Sequence, residues 1–100
     1  MLNIDSYKSK IVELCRSRPI VRLGLFGSAM TKRFTLQSDI DVLVIFENGE
    51  EIDVFDEYFD LKEALEKIFD RTVDLVIDKP FKNPFLQKAV DRTRKIIYER

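Results

Sequence analysis

The sequence has no histidine and only one cysteine among its 100 residues. Without histidine the commonest general base and metal ligand is missing, so acid–base chemistry must fall to Asp, Glu, Lys or Tyr. A single thiol, Cys15, cannot form an internal disulfide, and this indicates a reducing, cytoplasmic location. We expect Cys15 to be a small core residue rather than a reactive thiol.

Long apolar runs and a strong net charge are missing as well. No apolar run approaches the roughly 18 residues of a membrane span, and no signal-peptide pattern is present, so neither membrane nor secretion is expected. The formal net charge is −1. Nucleic-acid binders are usually clearly basic, so we do not expect nucleic acid as a direct partner. The length predicts a single domain over residues 1–100 with one modest core.

Helical and strand periodicities alternate along the chain. Together they predict an α/β (α+β) domain in which helices pack against a mixed sheet of about four strands. Helices are predicted over 5–17, 53–69 and 84–93, and one or two helical turns within 28–37. Strands are predicted over 20–26, 39–46, 71–78 and 95–98.

Residues at the helix ends suggest how the helices begin. We expect Asp5 or Ser6 to cap the first helix, Asp53 to cap the second, and Asn83-Pro84 to open the third. The second helix carries an apolar stripe that should face the core, with acids between that should face water. The stripe is Phe55, Tyr58, Leu61, Leu65 and Ile68, and the acids are Asp56, Glu57, Asp60, Glu63 and Glu66.

One stretch combines a glycine turn with a pair of aspartates. Gly27 and Ser28 end the first strand, and ten residues later come Asp39 and Asp41. Glycine lets the backbone approach a ligand, and exposed N–H groups at such a turn favour a phosphate. In a strand the two aspartates lie on one face, ahead of the apolar run 42–46. Such a pair repels itself unless a cation lies between, and carboxylate oxygens suit Mg²⁺ better than zinc. The alternative is a pair at the strand edge that faces water.

A further carboxylate lies between apolar neighbours in the third strand. Asp74 would be costly to bury in a central strand unless it were paired or metal-bound. A salt bridge to a neighbouring Arg or Lys is the alternative. Asp78 has the same strand parity but lies at the strand end, so we favour Asp74 as a third metal ligand.

The Gly27-Ser28 turn, the ten-residue spacer and Ser38-Asp39-x-Asp41 resemble the signature of the DNA polymerase β-like nucleotidyltransferase superfamily. Within that superfamily the chain looks like the minimal nucleotidyltransferases (MNT) encoded beside HEPN-domain toxins. One feature departs from the pattern. Many members carry a small residue and then Arg-Gly after Gly-Ser, whereas this chain has Met30-Thr31-Lys32-Arg33, so the phosphate-binding cation stays open.

The resemblance implies an Mg²⁺-dependent transfer of AMP from ATP, with two ions. Asp39, Asp41 and Asp74 would be the catalytic and metal-binding residues. The nucleotide-binding residues would be Gly27, Ser28, Lys32, Arg33 and Ser38. The implied acceptor is a hydroxyl, a tyrosine, on a cognate HEPN toxin, so that the protein acts as an antitoxin in a hetero-oligomer. Exposed apolar residues on the 53–69 helix or near the C-terminal helix are candidates for the interface.

Two other functions stay open at this point. The domain could neutralise a HEPN ribonuclease by binding alone, without catalysis. It could also modify a small molecule, as aminoglycoside nucleotidyltransferases do. An intact acidic cluster argues against the first, because a binding scaffold has no need of it. The short chain argues against the second, since little room is left for a substrate-binding domain.

Overall fold

A computed structural model describes residues 2–32, 34, 35, 37–49, 52–78 and 83–100, without the side chains of Leu86 and Ala89. Its centre is a sheet of four strands in the order β3-β2-β1-β4. The strands are β1 (Ile20–Phe26), β2 (Ile40–Phe46), β3 (Val73–Ile77) and β4 (Lys95–Glu99). β1 runs antiparallel to β2 and β4, whereas β2 and β3 are parallel. The predicted mixed sheet is confirmed.

In the described ranges three α-helices accompany the sheet: α1 (Lys8–Arg16), α2 (Val54–Phe69) and α3 (Pro84–Thr93). The Asp53 side chain caps α2 by accepting a hydrogen bond from the N–H of Asp56. Asn83 accepts one from the N–H of Phe85 at the start of α3. Both predicted caps are confirmed. None of these helices is long and apolar enough to cross a membrane.

The predicted start of the first helix is wrong. Ile4–Ser6 form a short 3-10 turn instead, and α1 begins only at Lys8. Asp5 and Ser6 therefore do not cap α1, whose N-cap is Tyr7 without a side-chain cap bond. Tyr7 N–H donates to Ile4 O, and its ring packs 4.9 Å from that of Phe69. Because Tyr7 N–H bonds to a residue three positions back, this first turn is of the 3-10 type and is separate from α1.

The two faces of the sheet are covered unequally. One face and the helices α1 and α2 form the main core, which includes Leu25, Val42, Val44 and Leu61. Neighbouring strand residues point to opposite faces, so Leu43 lies on the other face, where α3 contributes the buried Val90. Asp41 and Asp74, the two aspartates of the predicted site that belong to strands, lie on this second face.

The α2 stripe is only partly buried. Leu61 and Leu65 are fully buried, but Phe55 is 70 % exposed, which corrects the prediction for that residue. Two of the acids predicted to face water are also half-buried. Glu66 accepts a hydrogen bond from Val73 N–H, and Glu57 lies 3.8 Å from Arg18. The neighbouring strand and the segment after α1 supply partners that helical periodicity alone does not show.

Candidate active site

The predicted carboxylates meet at one end of the β2–β3 pair. Asp41 is the direct partner of Asp74 in the parallel ladder, and Phe26 is its partner on β1. Asp39 lies just ahead of β2, two residues before Asp41. The structure therefore brings Asp39, Asp41 and Asp74 to a common end of the sheet.

Both neighbouring carboxylates act on the ionisation of Asp41. The pKa of Asp41 is raised above its ordinary value, first by burial and then by the negative charges of Asp74 and Asp39. Asp39 and Asp74 are exposed, whereas Asp41 is half-buried. Ionisation of Asp41 is therefore unfavourable, because this carboxyl is half-buried and lies near two like charges.

Asp74 does not lie in a central strand. The crossover through α2 places β3 at the edge of the sheet, and Asp74 is exposed there. The expected burial is therefore wrong, because the sequence pattern does not show strand order. Among the described residues Asp74 forms no ion pair with Lys or Arg. Asp78, the other candidate, lies 3.5 Å from Arg94 and has a side chain only 15 % exposed.

Gly27 adopts a conformation that suits glycine, with φ of +72°. A Cβ at this position would collide with Oδ2 of Asp41 and lie 3.3 Å from its Cγ. Its N–H donates to Oγ1 of Thr93, at the end of α3, over 2.9 Å. The glycine turn thus lies directly against the half-buried carboxylate and is tied to α3.

The predicted short helical turn is a 3-10 helix, which begins at Gly27 and ends at Met30. Ser28 is half-buried, and its carbonyl accepts bonds from both the N–H and the hydroxyl of Thr31, each at 3.0 Å. Leu2 N–H donates to Ala29 O at 2.9 Å. Lys32 is exposed. Arg33 lies outside the described residues.

Ser38 takes part in a turn ahead of Asp39. Its hydroxyl accepts a hydrogen bond from Thr35 N–H at 3.0 Å and lies 3.2 Å from the Thr35 hydroxyl. The carbonyl of Ser38 accepts a bond from Nη2 of Arg71 at 2.8 Å. The Ser38 side chain therefore stabilises the turn ahead of Asp39. Its role in nucleotide binding stays a prediction.

Sequence reasoning missed two residues that hold these segments. Thr93 is 66 positions from Gly27, and Arg71 is 33 positions from Ser38. Thr93 belongs to the helical stripe of α3, and Arg71 stands at the predicted start of the third strand. No local signal would have identified them, because both act through contacts that exist only after the sheet has formed.

The donor chemistry of the site fits a hard divalent cation. Carboxylate oxygens are the ligands that Mg²⁺ prefers, and a cation would offset the burial and the repulsion by Asp74 and Asp39 that raise the pKa of Asp41. Within the described part of the chain, however, no three His, Cys, Asp or Glu side chains are arranged so that together they could hold a metal ion. Asp39, Asp41 and Asp74 share one end of the sheet without forming a complete set of metal ligands.

The chain matches a known family over most of its length. The model described as "Polymerase beta, Nucleotidyltransferase" matches residues 9–100. A Methanocaldococcus jannaschii protein named "Putative protein adenylyltransferase MJ1379" is 39 % identical over 69 residues, which make up 69 % of this chain and 68 % of that protein. The chain therefore belongs to the polymerase β nucleotidyltransferase family, as its Gly-Ser and Asp-x-Asp motif predicts.

Solved structures indicate to which group within this family the chain belongs. One described as a "putative minimal nucleotidyltransferase" is 30 % identical with a TM-score of 0.69, and covers 92 % of this chain and 90 % of that one. Another holds a tri-AMPylated Shewanella oneidensis HEPN toxin in complex with an MNT antitoxin; its TM-score is 0.62 at 22 % identity, covering 96 % and 72 %. The second likeness shows the fold alone. The chain is a minimal nucleotidyltransferase and thus an enzyme of the transferase class.

Both surfaces predicted to meet a partner carry exposed aromatic rings. On α2, Phe55 is 70 % and Phe59 49 % exposed, with ring centroids 4.8 Å apart. Phe85, in the first turn of α3, is 82 % exposed. Each helix therefore presents apolar surface to its surroundings.

Proposed function

We propose that this nucleotidyltransferase transfers AMP from ATP to a tyrosine hydroxyl of a cognate HEPN toxin and so acts as its antitoxin. The observation that carries the proposal is the direct pairing of Asp41 with Asp74, with Asp39 beside them and the Gly27 turn against Asp41. The name of the M. jannaschii relative and the AMPylated toxin in a structure of the same fold support the acceptor class.

The three aspartates are the proposed metal-binding and catalytic residues. Asp39 and Asp41 would hold one Mg²⁺ on the nucleotide phosphates and share a second with Asp74. When bound, Mg²⁺ supplies positive charge that neutralises the phosphates and stabilises the leaving oxygen. Carboxylates are the appropriate ligands because the site offers no nitrogen donor from histidine.

The other residues of the site act on nucleotide and acceptor. Gly27 leaves space for the triphosphate to approach the backbone, and Ser28 binds its outer phosphates, with Lys32, Arg33 and Ser38 as further nucleotide contacts. The acceptor oxygen attacks the α-phosphorus and forms the new P–O bond. The bond between the α-phosphorus and its bridging oxygen breaks, and pyrophosphate leaves. Asp74 accepts the hydroxyl proton.

The HEPN partner would present the acceptor from outside the domain formed by residues 1–100. A hetero-oligomer follows, since the acceptor side chain must reach the end of the β2–β3 pair where Asp41 and Asp74 lie. The proposal gives no role to a membrane, and we do not propose nucleic acid as a direct partner.

The test is intact mass spectrometry of the partner. The protein is mixed with Mg²⁺-ATP and the product of the neighbouring gene, and the partner is weighed. We expect a shift of one or more AMP units that disappears in Asp39→Asn and in Asp74→Asn. Asp78→Asn is the matched control and should retain the shift, because Asp78 pairs with Arg94 and not with the acidic group.

Three other outcomes would overturn the proposal. An unmodified partner in a tight, inactive complex would make the protein a non-catalytic antitoxin. Absence of any complex, together with AMP transfer to an aminoglycoside-type hydroxyl, would make it a small-molecule enzyme. Transfer that survives in Asp39→Asn would place the chemistry elsewhere in the molecule.

A further inference from the structure

Arg71 bridges the end of α2 and the segment ahead of Asp39. Its own backbone is held by α2, because Arg71 N–H donates to Glu66 O at 3.3 Å after Asp70 closes the helix in the left-handed conformation. The guanidinium therefore projects from a rigid helix end toward the approach to β2.

The guanidinium makes three contacts with this approach. Nη2 donates to the carbonyl of Ser38 at 2.8 Å and also to the carbonyl of Thr35. The planar group stacks 4.2 Å from the ring centroid of Phe34. Arginine can do this because it combines a flat face with several fixed donors, which a lysine lacks.

The adjoining backbone bond secures the other side of Asp39. Ile40 N–H donates to Thr72 O at 3.0 Å. Asp39 thus lies between two residues, Ser38 and Ile40, that are both held by the 71–72 segment, although Asp39 itself is exposed and precedes the strand. A carboxylate on a free loop would have no such restriction.

The Arg71 guanidinium contacts main-chain carbonyls and an aromatic ring. Across the part of the chain that the structure describes, no carboxylate lies within 4.0 Å of its guanidinium. Its hydrogen bonds go to main-chain carbonyls. Bonds of this kind fix the conformation of a loop and do not neutralise a carboxylate. The role is therefore geometric.

We propose that Arg71 is a positioning residue: it clamps Phe34, Thr35 and Ser38 so that the Asp39 carboxylate stays beside Asp41. This rests on the proposed function in so far as Asp39 binds the metal–nucleotide complex. The clamp itself is a property of the fold. The two parts can therefore be tested separately.

The first measurement is hydrogen exchange of the full-length protein without ligands. In Arg71→Met we expect exchange of the Ser38 and Ile40 amides to accelerate at least about tenfold, because the clamp no longer opposes local opening. Arg22→Met is the matched control: it removes an arginine ion-paired with Glu99 on β1 and β4, away from Asp39. Unchanged exchange at Ser38 and Ile40 in Arg71→Met would overturn the clamp, whatever the activity.

The second measurement is binding of Mn²⁺-ATP by calorimetry, together with AMP transfer. We expect Arg71→Met to weaken Mn²⁺-ATP binding and to lower transfer about 10- to 100-fold, with excess Mn²⁺ restoring part of the rate. Arg71→Lys should not restore binding, since lysine keeps the charge but not the stacked fork. Full binding and transfer in Arg71→Lys, or wild-type binding in Arg71→Met, would overturn the positioning role. A wild-type protein that binds Mn²⁺-ATP but transfers no AMP would instead overturn the proposed function and leave the clamp standing.

Discussion

Asp41 and Asp74 occupy directly paired positions on the parallel strands β2 and β3, so their carboxylates lie side by side on one face of the sheet. Asp41 is half-buried and has a raised pKa because burial and the charges of Asp74 and Asp39 disfavour its ionised form. In the absence of a cation this arrangement opposes folding. It is therefore a feature that stability alone would not select.

Neutralising Asp41 should separate function from stability. We predict that Asp41→Asn lowers AMP transfer at least about 100-fold, yet raises the unfolding temperature in EDTA, because a neutral amide avoids both the burial of a charge and the repulsion from Asp74 and Asp39. Mass spectrometry and thermal unfolding measure the two effects. Asp60→Asn, on the exposed side of α2, should change neither by a comparable amount. A less stable Asp41→Asn that still transfers AMP would contradict the prediction.

A methyl group at position 27 should disturb the acidic group. Gly27→Ala forces alanine into the left-handed region, at about 1–2 kcal/mol, and brings its Cβ into collision with Asp41 Oδ2. We predict lower stability in urea unfolding and a loss of transfer of at least about tenfold. Gly49→Ala is the control, because its Cβ would lie at an ordinary 3.4 Å from Ile52. Equal effects at the two glycines would argue against a close Gly27–Asp41 contact.

The hydroxyl of Thr93 should support the glycine turn. Thr93→Val keeps the shape but removes the acceptor of the Gly27 N–H bond, and a half-buried N–H without a partner costs about 1–3 kcal/mol. We expect a lower free energy of unfolding and about tenfold slower transfer, because the turn is less well placed. Thr93→Ser retains the hydroxyl and should behave as the wild type in both assays. A serine variant as impaired as the valine variant would point to the methyl group instead.

Cys15 should make stability depend on alkaline pH. Burial raises the pKa of this thiol from 9.0 to about 11, with Arg100 and Arg18 opposing the shift. The folded state holds the proton more tightly than the unfolded state, so this contribution is complete below pH 9 and is lost between pH 9 and 11. The stability advantage of wild type over Cys15→Ala should therefore shrink by roughly 1 kcal/mol per pH unit in that window.

Urea unfolding at several pH values, with Cys15→Ala as reference, measures this loss. A thiol reagent provides a second readout, since only unfolded chains should react at neutral pH. A stability difference that stays constant between pH 9 and 11, or rapid labelling of the native protein, would contradict a buried neutral thiol.

The local sequence pattern was sufficient to predict much of the fold. The strand over 20–26 and the cap at Asp53 follow from apolar periodicity and from a side chain that can reach a free N–H within three residues. The Gly27-Ser28 and Asp39-x-Asp41 motif was sufficient to predict the family through its resemblance to the family's signature, since its residues lie within one strand–turn–strand unit. In each of these cases the interacting groups are close in sequence.

Strand order and long-range contacts were decided only by the tertiary structure. The sequence suggested a buried Asp74, yet the parallel crossover sends β3 to the sheet edge and leaves that carboxylate exposed. The contacts of Arg71 with Ser38 and of Thr93 with Gly27 join residues 33 and 66 positions apart. Periodicity reports which face of an element is apolar, but not which distant element will cover it. That choice depends on the packing of the whole chain, and it decides how firmly the acidic residues of this nucleotidyltransferase are held.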